Sequence, residues 1–293
     1  QFEFTLEDEL FQLHEDLQSG HYFPGPYDAF LVCDPKPRRI HKPTVSDRVL
    51  HQAVFRILSP LFERRFIFDS YSSRLNKGTH AAVARLSTFL RKVSINNTRR
   101  VFVLQCDVRK FFDSINHEIL LHLLRPVIAD SSTFHLVELI IQSFSSTSGH
   151  GLPLGNVTSQ LFANVYLNEL DHFIKHVLHQ RFYIRYCDDF VIVGERPDLL
   201  LILLDTIEVF LGDYLGLQLH PRKIIIRQYQ QGIDFLGYVV RPYCITLRTR
   251  TKQRLLKRIS HANAPSYLGM LQHCAGYKIC SHALEILRRG AEG

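Results

Sequence analysis

The chain has 293 residues and a mass of 34.0 kDa, with 35 Lys and Arg against 28 Asp and Glu, a net charge of +7. Hydrophobic residues make up 46% and charged residues 22%, which excludes a chain that is mainly disordered. The densest apolar run, residues 199–204, is far short of the ~20 residues a spanning helix needs, and the length suits one large domain or two to three subdomains.

Residues 1–35 carry eight acids and no Lys or Arg. Residues 6–18 read as a short amphipathic helix, and the acidic character of residues 2–17 argues against a signal peptide. Residues 19–44 are rich in Gly and Pro and read as loop, with residues 30–33 as a strand entering a turn at Lys36-Pro37-Arg38-Arg39. The charge reverses here: residues 36–110 carry 17 bases and four acids. Ser46 is expected to cap a helix with Val49, Leu50, Ala53, Val54, Ile57, Leu58 and Leu61 on its inner face. Thr79 is a candidate cap for a second helix running to about Lys92.

Residues 101–106 are short, apolar and β-prone, so they read as a buried strand that ends at Asp107. Helices are expected from about Asn116 and from Val157 to about His176. Residues 182–186 and 190–193 are two β-like runs separated only by Cys187-Asp188-Asp189, a hairpin signal. A helix over 198–215, a strand over 223–227 and a hairpin over 233–247 follow. Strand, helix, hairpin, helix, strand is the order of a split βαβ, ferredoxin-like core. Residues 111–240 carry eight bases and 14 acids, and residues 241–293, read as basic helices, carry ten bases and two acids. Two basic segments around an acidic middle fit either solvated helix faces or a polyanion gripped around an acidic centre.

The six cysteines are scattered and none forms CxxC, which fits a reducing, cytoplasmic setting. His273, Cys274, Cys280 and His282 match no standard zinc spacing.

Asp107 closes a buried strand, and Asp188 and Asp189 sit in a tight turn between apolar strands. Adjacent carboxylates repel, and burial raises the cost of ionising them. They can be solvated turn residues and a helix cap. Alternatively, because all three fall on neighbouring strands of the inferred sheet, they can be ligands of divalent cations, whose charge relieves the repulsion.

Tyr186-Cys187-Asp188-Asp189 resembles the YxDD motif of reverse transcriptases, and Asp107 with an aromatic residue five positions on, Phe112, resembles their first catalytic motif. Lys36-Pro37-Arg38-Arg39 with Pro43 to Arg48, Phe68-Asp69-Ser70-Tyr71 with Arg74, the run from Leu217 to Lys223, and Phe235-Leu236-Gly237 are similar to the other motifs, in order along nearly the whole chain. Leu154-Gly155-Asn156-Val157-Thr158-Ser159-Gln160 and the run from Ser266 to Leu271 are similar to segments of the diversity-generating retroelement reverse transcriptases, a group II intron-like branch; most other reverse transcriptases have Gln where Leu154 stands.

The resemblance implies an α+β right-hand polymerase with a ferredoxin-like antiparallel palm sheet, helical fingers and a short helical thumb. Its limits would be fingers with an N-terminal extension over 1–98, palm over 99–243 and thumb over 244–293. Two Mg²⁺ ions, replaceable by Mn²⁺, would be held by Asp107, Asp188 and Asp189 with the Val108 carbonyl. Lys36, Arg38 and Arg39 would clamp the triphosphate, Phe112 would exclude a 2′-hydroxyl, and Lys223 would lie near the leaving pyrophosphate. Leu154, Gly155 and Gln160 would line the incoming-nucleotide site, and Phe235, Leu236 and Gly237 would form the primer grip. Implied partners are template RNA, primer and cDNA, dNTPs and a small basic accessory variability protein, with no membrane, in a bacterial, archaeal or phage setting. Error-prone copying at adenines is the implied activity. An ordinary-fidelity group II intron-like or retron enzyme, a catalytically silent RNA-binding scaffold and a nucleotidyl cyclase are the competing readings. No RNase H, endonuclease or maturase domain is expected in this length.

Overall fold

The computed structural model describes residues 6–33 and 37–289. Its N-terminal part comprises helix α1 (Leu6–Ser19), an antiparallel hairpin of β1 (Asp28–Val32) and β2 (Arg38–Lys42), and helices α2 (Val45–Glu63) and α3 (Thr79–Val93). Arg38 and Arg39 thus belong to a strand, not to the expected turn. The cap of α2 is Thr44, not Ser46: Pro43 cannot continue a helix backward, and the Thr44 hydroxyl accepts the Asp47 N–H at 3.1 Å. The inner face also differs. Leu50, Val54, Leu58 and Phe62 are buried, whereas Val49, Ile57 and Leu61 are exposed. Asp47 fixes this rotation, because it accepts hydrogen bonds from the Tyr22 hydroxyl at 2.7 Å and the Gly25 N–H at 3.1 Å. Position 25 must be Gly, since a Cβ there would lie 2.6 Å from Thr44 Cγ2.

The centre runs β3 (Phe102–Asp107), α4 (Phe111–Ser114), α5 (His117–Leu124), α6 (Ser131–Gln142), α7 (Val157–His172) with a π-helical extension over Phe173–Val177, β4 (Tyr183–Tyr186), β5 (Asp189–Gly194), α8 (Pro197–Leu215) and β6 (Ile225–Gln228). The strands pair in the order β4-β5-β3-β6, every pair antiparallel, which is the ferredoxin-like arrangement. Strand β6 starts two residues after Lys223, because Pro221–Lys223 forms a 3₁₀ turn, so Lys223 is not a strand residue. Helices α4 and α6 were not anticipated. The segment read as a second hairpin is a three-stranded sheet of β7 (Ile233–Phe235), β8 (Tyr238–Arg241) and β9 (Cys244–Leu247), followed by α9 (Thr249–Arg258), α10 (Ala264–Leu271) and α11 (Tyr277–Arg289).

Side chains alternate across the central sheet, as strand geometry requires. Leu104, Cys106, Phe190 and Ile192 join Leu120, Tyr166, Leu170 and Ile207 of the helices on one side. Val103, Val191, Val193 and Ile184 face the other, where Leu86 and Phe89 of α3 and Tyr238 and Val240 of β8 cover them. Gln105 shares this second side and donates to the Asp234 carbonyl at 2.8 Å, tying the two sheets together. Among the described residues no helix is long and apolar enough to cross a membrane.

Candidate active site

The register of the central sheet puts three carboxylates at one end. Asp107, last in β3, is paired with Asp189, first in β5. Tyr186 pairs with Asp189, so the turn contains only Cys187 and Asp188. Cys187 takes up the left-handed conformation (φ 55°) that so short a turn demands. The Val108 N–H donates to the Asp188 carbonyl at 3.3 Å and so holds the turn against the end of β3.

The site is short of positive charge. Burial raises the pKa of Asp188, and the Asp107 charge raises it further. Burial, a hydrogen bond with Asp107 and the charges of Asp107 and Asp188 push Asp189 up to about 7. Lys223 opposes this, with Nζ 2.5 Å from Asp107 Oδ2. Its 3₁₀ turn is anchored by the His220 N–H, which donates to the Asp107 carbonyl at 2.8 Å. Among the described residues no three His, Cys, Asp or Glu side chains are placed so that they could together hold a metal ion. The donor set of hard carboxylate oxygens, with two pKa values raised by burial and then by neighbouring carboxylates, nevertheless suits a hard divalent cation.

Asp188 and Asp189 face a cleft of about 1020 Å³, while Asp107 is buried behind them and is not on its lining. Its lining brings together Asp188, Asp189, Arg38, Arg39, Phe112 and Leu154, with Gln160 and Leu236 also on the wall. Both Phe111 and Phe112 line the cleft, but Phe111 is buried in the core and Phe112 is the more exposed of the two. The Leu152 N–H holds the Phe112 carbonyl at 2.8 Å. Leu154 is tied to β2 by its carbonyl, which accepts the His41 N–H at 3.2 Å. Gly155 borders a neighbouring cavity of about 340 Å³ with Ile40 and His51. Leu236 and Gly237 both have positive φ (51° and 89°) in the two-residue turn between β7 and β8, and Phe235 is buried beneath it. Lys36 lies outside the described residues.

The sequence reading missed the network under the turn. Arg185 is fully buried and paired with fully buried Asp171: Nε donates to Oδ1 at 2.8 Å and an Nη to Oδ2 at 2.7 Å. Burial works against the charge on Arg185, but Asp171 more than offsets it and holds the guanidinium pKa above its ordinary value. Tyr183 also donates to Asp171, at 2.6 Å. The other Arg185 amine donates to the Cys187 carbonyl at 3.0 Å and to Asn164 Oδ1 at 3.2 Å. The aspartate-bearing turn thus rests on a buried ion pair. Arg in an otherwise apolar strand was the visible signal.

A ferredoxin-like sheet bearing three aspartates at one end, beneath a cleft walled by a cationic strand, defines the palm of a right-hand nucleic-acid polymerase. The fold agrees with solved telomerases: that of Candida albicans, in complex with a TWJ fragment of telomeric RNA (TM-score 0.61, 11% identity, 96% of this chain and 59% of that one), and the apo enzyme of Candida tropicalis truncated from its C-terminal domain (TM-score 0.60, 12% identity, 80% and 59%). The chain belongs to the reverse transcriptase (RNA-dependent DNA polymerase) family, whose model matches residues 34–240. Protein YkfC of Escherichia coli K12 is 26% identical over 78% of this chain and 70% of its own length. The group II intron-encoded protein LtrA of Lactococcus lactis is 24% identical over 80% of this chain, which spans half of LtrA.

Proposed function

We propose that the chain extends a primer by RNA-templated DNA synthesis: the primer 3′-hydroxyl attacks the α-phosphate of a dNTP, one phosphodiester bond forms, and pyrophosphate leaves. The observation that carries this is the pairing of Asp107 with Asp189 at the end of the sheet, where Asp189 and Asp188 line a cleft together with Arg38 and Arg39. Asp107, Asp188 and Asp189, with the Val108 carbonyl, would hold Mg²⁺, and the bound ions would activate the attacking oxygen and stabilise the leaving one. Arg38 and Arg39, with Lys36, would neutralise the triphosphate. Lys223 has an ammonium within reach of the carboxylates to protonate the leaving group. Phe112 would sit against the sugar, where a ring leaves no room for a 2′-hydroxyl. Gly155 and Gln160 would border the incoming base, and Phe235, Leu236 and Gly237 would hold the primer end. Asp188→Ala should abolish dNTP incorporation on a primed RNA while leaving circular dichroism unchanged. Undiminished incorporation would overturn the reading.

Within the family, the proposed subtype is the diversity-generating retroelement enzyme, error-prone at template adenines and working with a small basic accessory protein. Leu154 on the cleft wall supports it: an apolar contact separates close ligands by only ~1–3 kcal/mol, so base choice would rest on pairing and shape. The intron-encoded relatives favour a second reading, an ordinary-fidelity group II intron-like enzyme. Sequencing cDNA from a defined template separates them, because errors spread evenly over the four template bases reject the retroelement subtype.

A further inference from the structure

A second cavity, of about 360 Å³, shares no lining residue with the active cleft. It lies between α3 and the start of β4, and Phe182 on its wall is four residues back from Tyr186, roughly 13 Å along an extended strand at ~3.3 Å per residue. Arg85, Lys92, Lys175 and Arg181 surround it against a single carboxylate, Asp69, a net charge of +3 before the imidazoles of His176 and His179 are counted. Asp69 is buried and acts as an organiser. It receives Arg85 Nε at 2.8 Å and Lys175 Nζ at 2.9 Å, and Lys175 also donates to the Arg181 carbonyl at 2.6 Å. Two cations are thereby fixed side by side instead of dispersing into solvent.

Aromatic rings complete the wall. Phe89 and Phe182 meet edge to face at 5.2 Å; Arg85 lies 4.5 Å over Phe89, and Arg181 5.7 Å over Phe182. Phe89 is buried and serves to hold Arg85 in place, while Phe182 is half-buried at the rim. Cations fixed in this way suit the spaced phosphates of a single-stranded nucleic acid, with the rim ring beside them. Lys92 and Arg181 are exposed, and among the described residues the Lys92 side chain makes no hydrogen bond or ion pair.

We propose that this cavity is a second nucleic-acid site, which binds the phosphate backbone of an unpaired RNA arm away from the catalytic aspartates. The test uses the whole chain with a primed RNA carrying a long unpaired arm, and the same primer-template trimmed to the region the active cleft covers. Binding is read by fluorescence anisotropy across a salt series, and extension is measured in the same samples. Lys92→Gln/Arg181→Gln should weaken binding of the long template roughly tenfold at moderate salt and flatten its log–log salt slope by about 1.4, at ~0.7 per phosphate on a single strand. Extension of the trimmed template should be unchanged, which keeps failure here distinct from failure of the polymerase reading. Lys92→Gln alone, expected to give half the slope change, guards against a fold defect in the double variant. An unchanged slope, equal weakening on both templates, or loss of the arm's contribution on adding free ATP at micromolar concentration would each overturn the proposal.

Discussion

Asp171→Ala is the sharpest test of how the aspartate turn is supported. Both members of the Asp171–Arg185 pair have no solvent exposure, so removing the carboxylate leaves a buried guanidinium without its counter-ion. The loss covers two charge-assisted hydrogen bonds to Arg185 and the acceptor of the Tyr183 hydroxyl. Breaking one side of a buried pair typically costs about 3–5 kcal/mol. For a chain of this length that corresponds to a fall in Tm of roughly 6–10 °C, at about 2 °C per kcal/mol. Urea denaturation with a constant m-value reads the change directly. The apolar replacement Asp171→Leu/Arg185→Met/Tyr183→Phe should recover much of the stability, because no buried charge is left unpaired. It should not recover primer extension, because the Cys187 carbonyl has then lost its donor and the turn carrying Asp188 its support. If Asp171→Ala unfolds within about 1 kcal/mol of the parent, the pair is not a buried, charged support and the reasoning fails.

Three further outcomes are expected. Asp189 is raised to about 7 in the folded, metal-free protein against 3.8 for the ordinary group, so the folded state binds the extra proton and loses stability as pH rises between these values. Asp189→Asn should therefore be more stable than the parent above pH 7 in the presence of a chelator, with the difference fading toward pH 4; urea midpoints across that range check it. Phe112→Ala should raise the efficiency of ribonucleotide incorporation relative to deoxynucleotide roughly 10–200-fold, the range one apolar contact can discriminate, as single-nucleotide extension kinetics would show. Gly155→Ala places a side chain at φ 115° with its Cβ 3.0 Å from Ile40 Cγ2, so it should cost about 1–3 kcal/mol in urea unfolding.

The parts of the fold governed by local period were legible in the amino-acid order. Strand β3, the β4–β5 hairpin and helices α7 and α8 have continuous apolar runs or turn punctuation that no distant contact overrides. The carboxylates stood out for the same reason, as charges where apolar strands end. What escaped was set by distant partners. The rotation of α2 depends on Tyr22 and Gly25 gripping Asp47, more than twenty positions away, so Ile57 read as inner and is outer. Arg185 was visible as an anomaly, but nothing local says that its counter-ion is Asp171 on the preceding helix. The cluster around Asp69 is equally silent in sequence, because Asp69, Arg85 and the stretch from Lys175 to Arg181 come from three separate segments.

The pairing of β3 also governs how the molecule must be made. Its two neighbours, β5 and β6, leave the ribosome about 80 and 120 residues after it, so β3 emerges long before either of its edges can be covered. At ~5–20 residues per second, that leaves an apolar strand with two open edges for several seconds or longer, a template for wrong pairing between nascent chains. The same separation makes assembly of the aspartates a late, non-local event with a large loop-closure cost. Production in a host should therefore respond to chaperone supply and to a lower concentration of nascent chains more than to any change at the surface.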